Sequence, residues 1–177
     1  MPVDIHFRTT SNTHDETSAG QKLWFRPAEG CDALSATANA PGFTPLIAIA
    51  RHFGWDYGRL EAAAAACNDR GEVAVIADLT PRLFLVPATR GHGNTTFLIK
   101  DLLRATSKLA VEGLHFTHFG FLQGQFPEEE ISDILRELLT PQQPLPLQRL
   151  VFDVDSRAEA RLHGLLSPGR KPADARA

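Results

Sequence analysis

The chain has 177 residues, of which 43% are apolar and 22% are charged, and its formal net charge is -3. This length predicts one domain with a substantial core, and the slightly acidic balance excludes a broad basic surface, so nucleic acid is not expected as the main partner. No apolar run approaches the roughly 20 residues that cross a bilayer, and the start of the chain lacks the basic residues of a signal peptide, so we expect a cytoplasmic protein with no membrane partner. Cys31 and Cys67 are far apart and lack metal-ligand spacing, so both are expected to be reduced core residues.

The N-terminal part of the chain predicts three strands and one loop. Apolar and polar side chains alternate over residues 3–8, which indicates a strand with one buried face. Residues 9–21 are rich in Thr, Ser and Asn and predict a mobile loop. Short runs at 23–26 and 32–37 predict two further strands. Because no helix separates these early strands, we expect them to form the antiparallel edge of a sheet.

The middle of the chain predicts two helices followed by two buried strands. The helices cover residues 44–53 and 57–68, and the second carries a run of alanines that favours helix. Gly71 is expected to end it. The near-continuous apolar runs at 72–77 and 82–87 are typical of strands in the middle of a sheet that is covered on both faces.

A longer helix and a glycine-bearing turn follow. The apolar spacing predicts a helix over residues 95–111. An aromatic strand then begins at Leu114 and leads into a turn that contains Gly120 and Gly124. Pro127 suits the first turn of a further helix, because the backbone N–H groups of that turn have no partner within the helix and proline lacks this group.

The C-terminal part predicts a strand at 149–155, a short helix over 156–166 and a disordered polar tail at 167–177. Strands and helices alternate through the second half of the chain. We therefore expect a single domain over residues 1–166, with a mixed, mostly parallel central sheet between helices.

The turn after the Leu114 strand is a candidate anion site. Gly120 and Gly124 let backbone amides approach a phosphate, and a helix N-terminus follows. The glutamates at 128–130 would repel a phosphate unless they face away from the turn, so a plain tight turn is the alternative.

Two other loops contain candidate ligand residues. Gly42 and Phe43 precede the first predicted helix, where Thr44 is a candidate cap. Arg90 is the best candidate for a cation that faces a phosphate, and His92 lies between two glycines in the same loop. For both residues the alternative is an ordinary exposed loop side chain.

The sequence gives no sign of a metal site, a cofactor or a catalytic set. His115 and His118 are three positions apart on a strand and should point to opposite faces, so they cannot share a metal. Asp153 and Asp155 share a face near a strand end, but this position is more typical of aspartates that start the next turn. We expect no metal and no cofactor, and the catalytic residues, if any, stay unknown.

Several strings, in this order, resemble those of the macro domain, the module known for binding ADP-ribose and related nucleotides. Residues 31–39 are similar to the strand that ends in the family's Asn-Ala-Ala-Asn motif, with Asn39 at the second asparagine. Residues 71–76 and 83–91 resemble its paired strands, and residues 103–131 have the spacing that leads into its second phosphate loop. Residues 147–155 look like its last strand.

The resemblance covers about residues 23–166 and implies a three-layer α/β/α fold. It also implies a cleft at the strand ends that binds an ADP-ribose-like nucleotide between two loops. The ligand residues expected on this basis are Asn39, Gly42, Phe43, Thr44, Arg90, His92, Gly120, Phe121, Gly124 and Phe126.

The chain departs from the family pattern at several positions. Ala36 replaces the first asparagine of the motif, the first phosphate loop has one glycine instead of several, and His118 and Phe119 replace small residues in the second loop. We expect nucleotide binding to survive these changes, whereas the family's hydrolytic apparatus is not expected to survive them.

Two alternative functions stay open at this point. The first is an interaction module that has lost its ligand, with a cleft filled by Phe43, Phe121 or Phe126. The second is a hydrolase of ADP-ribose esters, for which Asn39 and His92 would be the residues to test.

Overall fold

The structure is a computed structural model that describes residues 3–9, 27–38, 44–87, 95–117 and 146–154. The described strands are Asp4–Thr9 (β1), Ala33–Ala38 (β2), Ala74–Ile76 (β3), Arg82–Pro87 (β4), Gly113–Phe116 (β5) and Arg149–Val154 (β6). The described helices are Thr44–Phe53 (α1), Tyr57–Arg70 (α2) and Thr95–Lys108 (α3). The strands form one sheet in the order β1-β6-β5-β2-β4-β3.

Neighbouring strands of the sheet are parallel except at one edge. The pairs β1 with β6, β6 with β5, β5 with β2 and β2 with β4 are parallel, whereas β3 runs antiparallel to β4. The expected mixed, mostly parallel sheet is therefore confirmed.

The expected antiparallel edge was assigned to the wrong strands. β1 does lie at an edge, but it is parallel to β6, and β2 lies in the middle of the sheet between β5 and β4. The antiparallel edge strand is β3, which is only three residues long and leaves Val75 37% exposed. The apolar run at 72–77 suggested a central strand, because a short run does not reveal how many neighbours a strand has.

Two apolar clusters fill the two faces of the sheet. Side chains alternate between the faces along each strand, so Leu34 and Leu85 face one side while Phe84 and Val86 face the other. The face of Leu34 packs against α1 and α2, through residues that include Ile49. The opposite cluster includes Leu102 of α3 and the buried residues Phe116, Leu150 and Phe152. The described elements thus form the predicted three layers, with helices on both faces of the sheet.

The ends of α2 follow directly from its sequence. The carboxylate of Asp56 accepts a hydrogen bond from the amide of Gly58 at 3.0 Å, which satisfies one of the unpaired amides of the first turn. Gly71 ends the helix in the left-handed conformation at φ 66°, as predicted, and its amide bonds back to the carbonyls of Cys67 and Asn68.

The end of α3 was predicted three residues too late. The helix ends at Lys108, because Ala110 takes the left-handed conformation at φ 50° and its amide bonds to the carbonyl of Ser107. The amide of Val111 turns back to the carbonyl of Thr106, so the side chain of Val111 is buried without continuing the helix.

The amino ends of β2, β4 and β5 are joined by Asp32. Its Oδ1 accepts hydrogen bonds from the amides of Glu112 at 3.1 Å and Gly113 at 2.8 Å. Its Oδ2 lies 3.5 Å from Nη1 of Arg82 at the start of β4. Gly113 also packs so closely against residues 30–31 that a Cβ there would lie 2.1 Å from the carbonyl oxygen of Gly30. A side chain is therefore excluded at Gly113.

Several predicted elements lie outside the described residues. They are the loop at 9–21, the strand at 23–26, the glycine turn, the helix from Pro127, the helix at 156–166 and the tail at 167–177.

Candidate functional site

The carboxyl ends of the parallel strands form the edge of the sheet where the candidate site begins. β2 ends at Ala38, and the chain then passes through α1, α2 and β3 to β4, which lies on one side of β2 in the sheet. Its other neighbour is β5, whose chain continues to β6 on the opposite side. β2 and β5 are therefore adjacent strands whose following connections lead to opposite sides of the sheet. In open α/β sheets, ligands bind outside the carboxyl ends of the strands at such a topological switch point.

The two loops expected to hold a ligand begin at this switch point. Residue 39 follows Ala38 at the end of β2, and residue 118 follows Thr117 just after β5. Thr44 is the first residue of α1. The other expected ligand residues lie outside the described ranges, namely Asn39, Gly42, Phe43, Arg90, His92, Gly120, Phe121, Gly124 and Phe126.

A cluster of ionisable side chains lies on the sheet close to the same edge. Arg8, His115 and Asp153 are each the second-last residue of their strands, β1, β5 and β6. Arg8 pairs in register with Asp153, and His115 pairs with Leu34, which faces α1 and α2. The three side chains project from that same face, since Asp153 lies two residues after Val151, the partner of His115 in β6.

Asp153 is the centre of this cluster. Its Oδ1 accepts a hydrogen bond from Nε of Arg8 at 2.7 Å, and its Oδ2 accepts one from Nη2 of Arg8 at 3.0 Å. Nε2 of His115 lies 2.9 Å from the same Oδ2. The Arg8 contact is thus a bidentate guanidinium–carboxylate pair, which fixes the orientation of the guanidinium plane.

The hydrogen bonds also indicate the tautomer of His115. The amide of Ala28 donates to Nδ1 at 3.4 Å, so Nδ1 carries the lone pair and Nε2 carries the proton. His115 and Arg8 then both donate to Oδ2 of Asp153, which explains why Nη2 of Arg8 lies 3.0 Å from Nε2 without a bond between two donors. This assignment follows from the partners of the ring nitrogens.

The cluster is largely shielded from water. The side chain of Asp153 is 6% exposed and that of His115 is fully buried, whereas that of Arg8 is 29% exposed. Burial by itself opposes ionisation of Asp153. The hydrogen bonds from His115 and Arg8 outweigh it and hold the pKa of this carboxyl below its usual range. Asp153 is therefore an anion at neutral pH, with the cation of Arg8 beside it.

Residues 27–31 lie near this cluster and the start of β6. The amide of Ala28 reaches His115, and the position of a Cβ on Gly30 lies 3.5 Å from the Arg149 side chain. Cys31 is only half-buried, so its expected place in the core was wrong, whereas Cys67 is a buried residue of α2, as expected. Burial raises the pKa of both thiols to about 11.

Sequence reasoning missed the role of this cluster. Asp153 was interpreted as a strand-end residue that starts the next turn, but it lies inside β6 and binds Arg8 and His115. The sequence does contain a signal for the cluster, namely ionisable residues within apolar strands: Asp153 follows the apolar run at 150–152, and His115 lies inside the apolar strand at 114–116. The partners were hidden because β1 and β6 are distant in sequence. Across the described residues, no group of three His, Cys, Asp or Glu side chains is placed to hold a metal ion.

Comparisons with solved structures identify the architecture. The macro domain of ganglioside induced differentiation associated protein 2 (GDAP2) has a TM-score of 0.52 at 14% identity, covering 77% of this chain and 76% of that one. The macrodomain of Mycobacterium tuberculosis DarG has a TM-score of 0.54 at 14% identity, covering 85% of this chain and 98% of that one. This chain has the macro-domain fold.

The macro-domain fold alone does not select a function, since these identities are low. Tomato leucine aminopeptidase, as its K354E mutant, has a TM-score of 0.51 at 13% identity over 92% of this chain and 35% of that one. The present chain thus spans about a third of a protein that is named as a peptidase. No protein-family model matches the sequence, and no curated protein matches it. In the described part of the fold, no helix is long and apolar enough to cross a membrane.

Proposed function

We propose that this protein binds an ADP-ribose-like nucleotide at the carboxyl edge of the sheet, between the loops that follow β2 and β5. Asn39, Gly42, Phe43 and Thr44 would contribute from the first loop, and Gly120, Phe121, Gly124 and Phe126 from the second. Arg90 and His92 would contribute from the connection after β4.

The observation that carries the proposal is the position of β2 beside β5. The macro-like strings of the sequence predicted two ligand loops more than 70 positions apart, and these loops start from adjacent parallel strands at the switch point of the sheet. A tight turn with only a structural role would not need to begin beside the other loop. The two loops can therefore contact one ligand.

The start of α1 also supports an anionic ligand. The ten-residue helix has no acidic residue in its first turn, and basic residues occupy its last turn. Its N-terminus therefore keeps the partial positive charge of the helix dipole, which favours an anion by an amount on the order of 0.3 to 1 kcal/mol at an exposed site. This contribution is too small to create a site alone, but it has the sign that a diphosphate requires.

Titration calorimetry with ADP-ribose tests the proposal, with a parallel thermal-shift measurement. We expect saturable heat and a melting temperature that rises with ligand concentration, because a ligand that binds only the native state stabilises it by mass action. Adenine and ribose 5-phosphate, titrated separately, show which part of the nucleotide contributes affinity. Absence of both heat and thermal shift at millimolar ADP-ribose would reject the proposal.

The alternative of an interaction module without ligand gives the opposite result in the same measurement. If Phe43, Phe121 or Phe126 fills the cleft, the unsubstituted protein should not bind the nucleotide. Replacing that phenylalanine by Ala should then either have no effect on binding or open the cleft and allow binding. In a protein that binds ADP-ribose through these loops, the same substitutions should weaken binding.

A further inference from the structure

The guanidinium of Arg8 is held beside the switch point by two other strands. Arg8 belongs to β1, yet its Nη2 lies 3.0 Å from Nε2 of His115 in β5, so the two side chains meet over β6, the strand between them. Two strand spacings amount to about 10 Å. β5 is one of the two strands from which the candidate ligand loops depart, so the cation lies next to the candidate site.

The donors of Arg8 are unequally used. Nε and Nη2 are both committed to Asp153. Among the described residues, Nη1 has no hydrogen-bond partner, and 29% of the side chain is exposed while Asp153 and His115 are nearly or fully buried. The buried carboxylate therefore holds the Nε–Nη2 side of the guanidinium, and both N–H donors of Nη1 are left unused by Asp153.

Stability alone is a weak reason for such an arrangement. Removing a carboxylate and most of a guanidinium from water costs solvation free energy, which the attraction between the two charges roughly balances. Replacing such pairs by apolar residues is therefore often neutral or stabilising. On the same face, the strands β2 and β4 contribute Leu34, Ala36, Leu83 and Leu85 at comparable positions. A fixed cation with unused donors is instead what recognition of a phosphate or carboxylate requires.

We propose that Arg8 binds an anionic group of the ligand through Nη1, with Asp153 and His115 as positioning residues that orient its guanidinium. The inference rests on the proposed function, and it specifies the ligand as a nucleotide that carries a phosphate on the β5 side of the cleft. The inference adds Arg8 of β1 to the proposed binding site. Arg8 lies outside both glycine loops and outside the sequence strings that resemble the macro domain.

Two double substitutions provide the test, each of which removes one cation and one anion. The first variant combines Arg8→Gln with Asp153→Asn and removes the Arg8–Asp153 ion pair, called the Arg8 anchor below. Arg59→Gln with Asp78→Asn replaces a second Arg–Asp pair, which has the same 2.7 Å contact but lies exposed on α2 and the loop after β3. Net charge is equal in the two variants. Affinity for ADP-ribose is measured by calorimetry at several salt concentrations, after thermal melting has verified the fold.

The Arg8 variant should bind ADP-ribose roughly tenfold more weakly or worse, as expected for the loss of a charge-assisted hydrogen bond. Its affinity should also depend less on salt, which a purely structural role of the pair would not cause. The Arg59 variant should match the unsubstituted protein in both quantities. Equal affinity and equal salt dependence in the two variants would overturn the role of Arg8 while leaving the proposed function intact.

Two further outcomes are informative. If the unsubstituted protein does not bind ADP-ribose, both proposals are overturned together. If the Arg8 double variant does not fold, Arg8→Lys replaces it, because a single ammonium can keep Asp153 paired but lacks the second set of donors. Arg8→Lys should weaken binding several-fold, and unchanged affinity in this variant would also reject the proposal.

Discussion

One face of the sheet has two halves of very different chemistry. Under α1 and α2, the strands β2, β4 and β3 present an apolar half that includes Leu34, Leu83, Leu85 and Ile76. On the same face, β5, β6 and β1 present a charged half centred on Asp153. The apolar half gains free energy from removing hydrocarbon from water, whereas the charged half must recover the solvation that its ions lose. The comparison separates the half that stabilises the fold from the half in which we propose that an anion is recognised.

The largest expected effect belongs to Gly113→Ala at the start of the charged half. The new Cβ would lie 2.1 Å from the carbonyl oxygen of Gly30 and 2.9 Å from Cα of Cys31, and neither backbone atom can move without displacing residues 30–31. We expect a loss of about 4 kcal/mol or more, or failure to fold, in urea denaturation followed by circular dichroism. The control is Gly54→Ala, where φ is 68° and nothing lies within 4 Å of the added Cβ. It should cost only about 1 kcal/mol, from the left-handed backbone conformation.

Leu85→Ala tests the apolar half. Leu85 is fully buried in the centre of the sheet, so truncation leaves a cavity under α2 and should lower the free energy of unfolding by about 2 to 5 kcal/mol. Val75→Ala on the exposed edge strand is the control and should change stability by less than about 0.5 kcal/mol. Equal effects of the two substitutions would contradict the placement of the core.

Asp153→Asn tests the charged half. The substitution leaves Arg8 with a neutral partner. Because Arg8 is partly exposed, we expect the free energy of unfolding to fall by about 2 to 3 kcal/mol at pH 7. The control, Asp78→Asn in an exposed ion pair, should have a smaller effect. The pKa of Asp153 is lowered by folding, so its stabilising contribution is complete above the unfolded pKa and disappears as pH falls through the folded pKa, below 3.8.

The pH dependence therefore distinguishes this role from a loss of packing. The difference in unfolding free energy between the unsubstituted protein and Asp153→Asn should shrink as pH falls from about 5 to 2.5. A difference that stayed constant over this range would show that the charge of Asp153 has no part in the effect.

The smallest expected effect concerns the two thiols, one near each half. Burial raises the pKa of Cys31 and Cys67 to about 11, so at pH 8 roughly one thiol in a thousand is ionised and the native protein should react slowly with Ellman's reagent. Cys31 should react before Cys67, since it is only half-buried. In urea both should react at the rate of a free thiol. Faster reaction of Cys67 in the native protein would indicate that the apolar half opens more readily than the charged half.

The elements that could be predicted from the sequence are those defined by local patterns. The bounds of α1, the glycine end of α2 and the strands β2, β4 and β6 follow from hydrophobic spacing and capping residues. Their neighbours in the sheet do not follow, because pairing is decided by contacts between distant residues. That is why β1 was given the wrong direction and β3 the wrong place in the sheet.

The candidate site divides in the same way. Sequence motifs suggested the loops after β2 and β5, and the sheet order brings the strands before them together. The Arg8, Asp153 and His115 cluster had no local signature, since each residue is on a different strand. Any site assembled across strands in this way becomes visible only with the strand order.

The parallel pairing of β1 with β6 also has a consequence for biosynthesis. Arg8 and Asp153 are separated by 145 positions, so the first described strand leaves the ribosome long before its partner exists. At typical elongation rates of about 5 to 20 residues per second, β1 waits about 7 to 30 seconds with its partly buried residues Ile5 and Phe7 uncovered. Closing so long a loop is entropically costly and slows folding. Formation of the Arg8 anchor should therefore mark one of the last events in the maturation of a nascent chain.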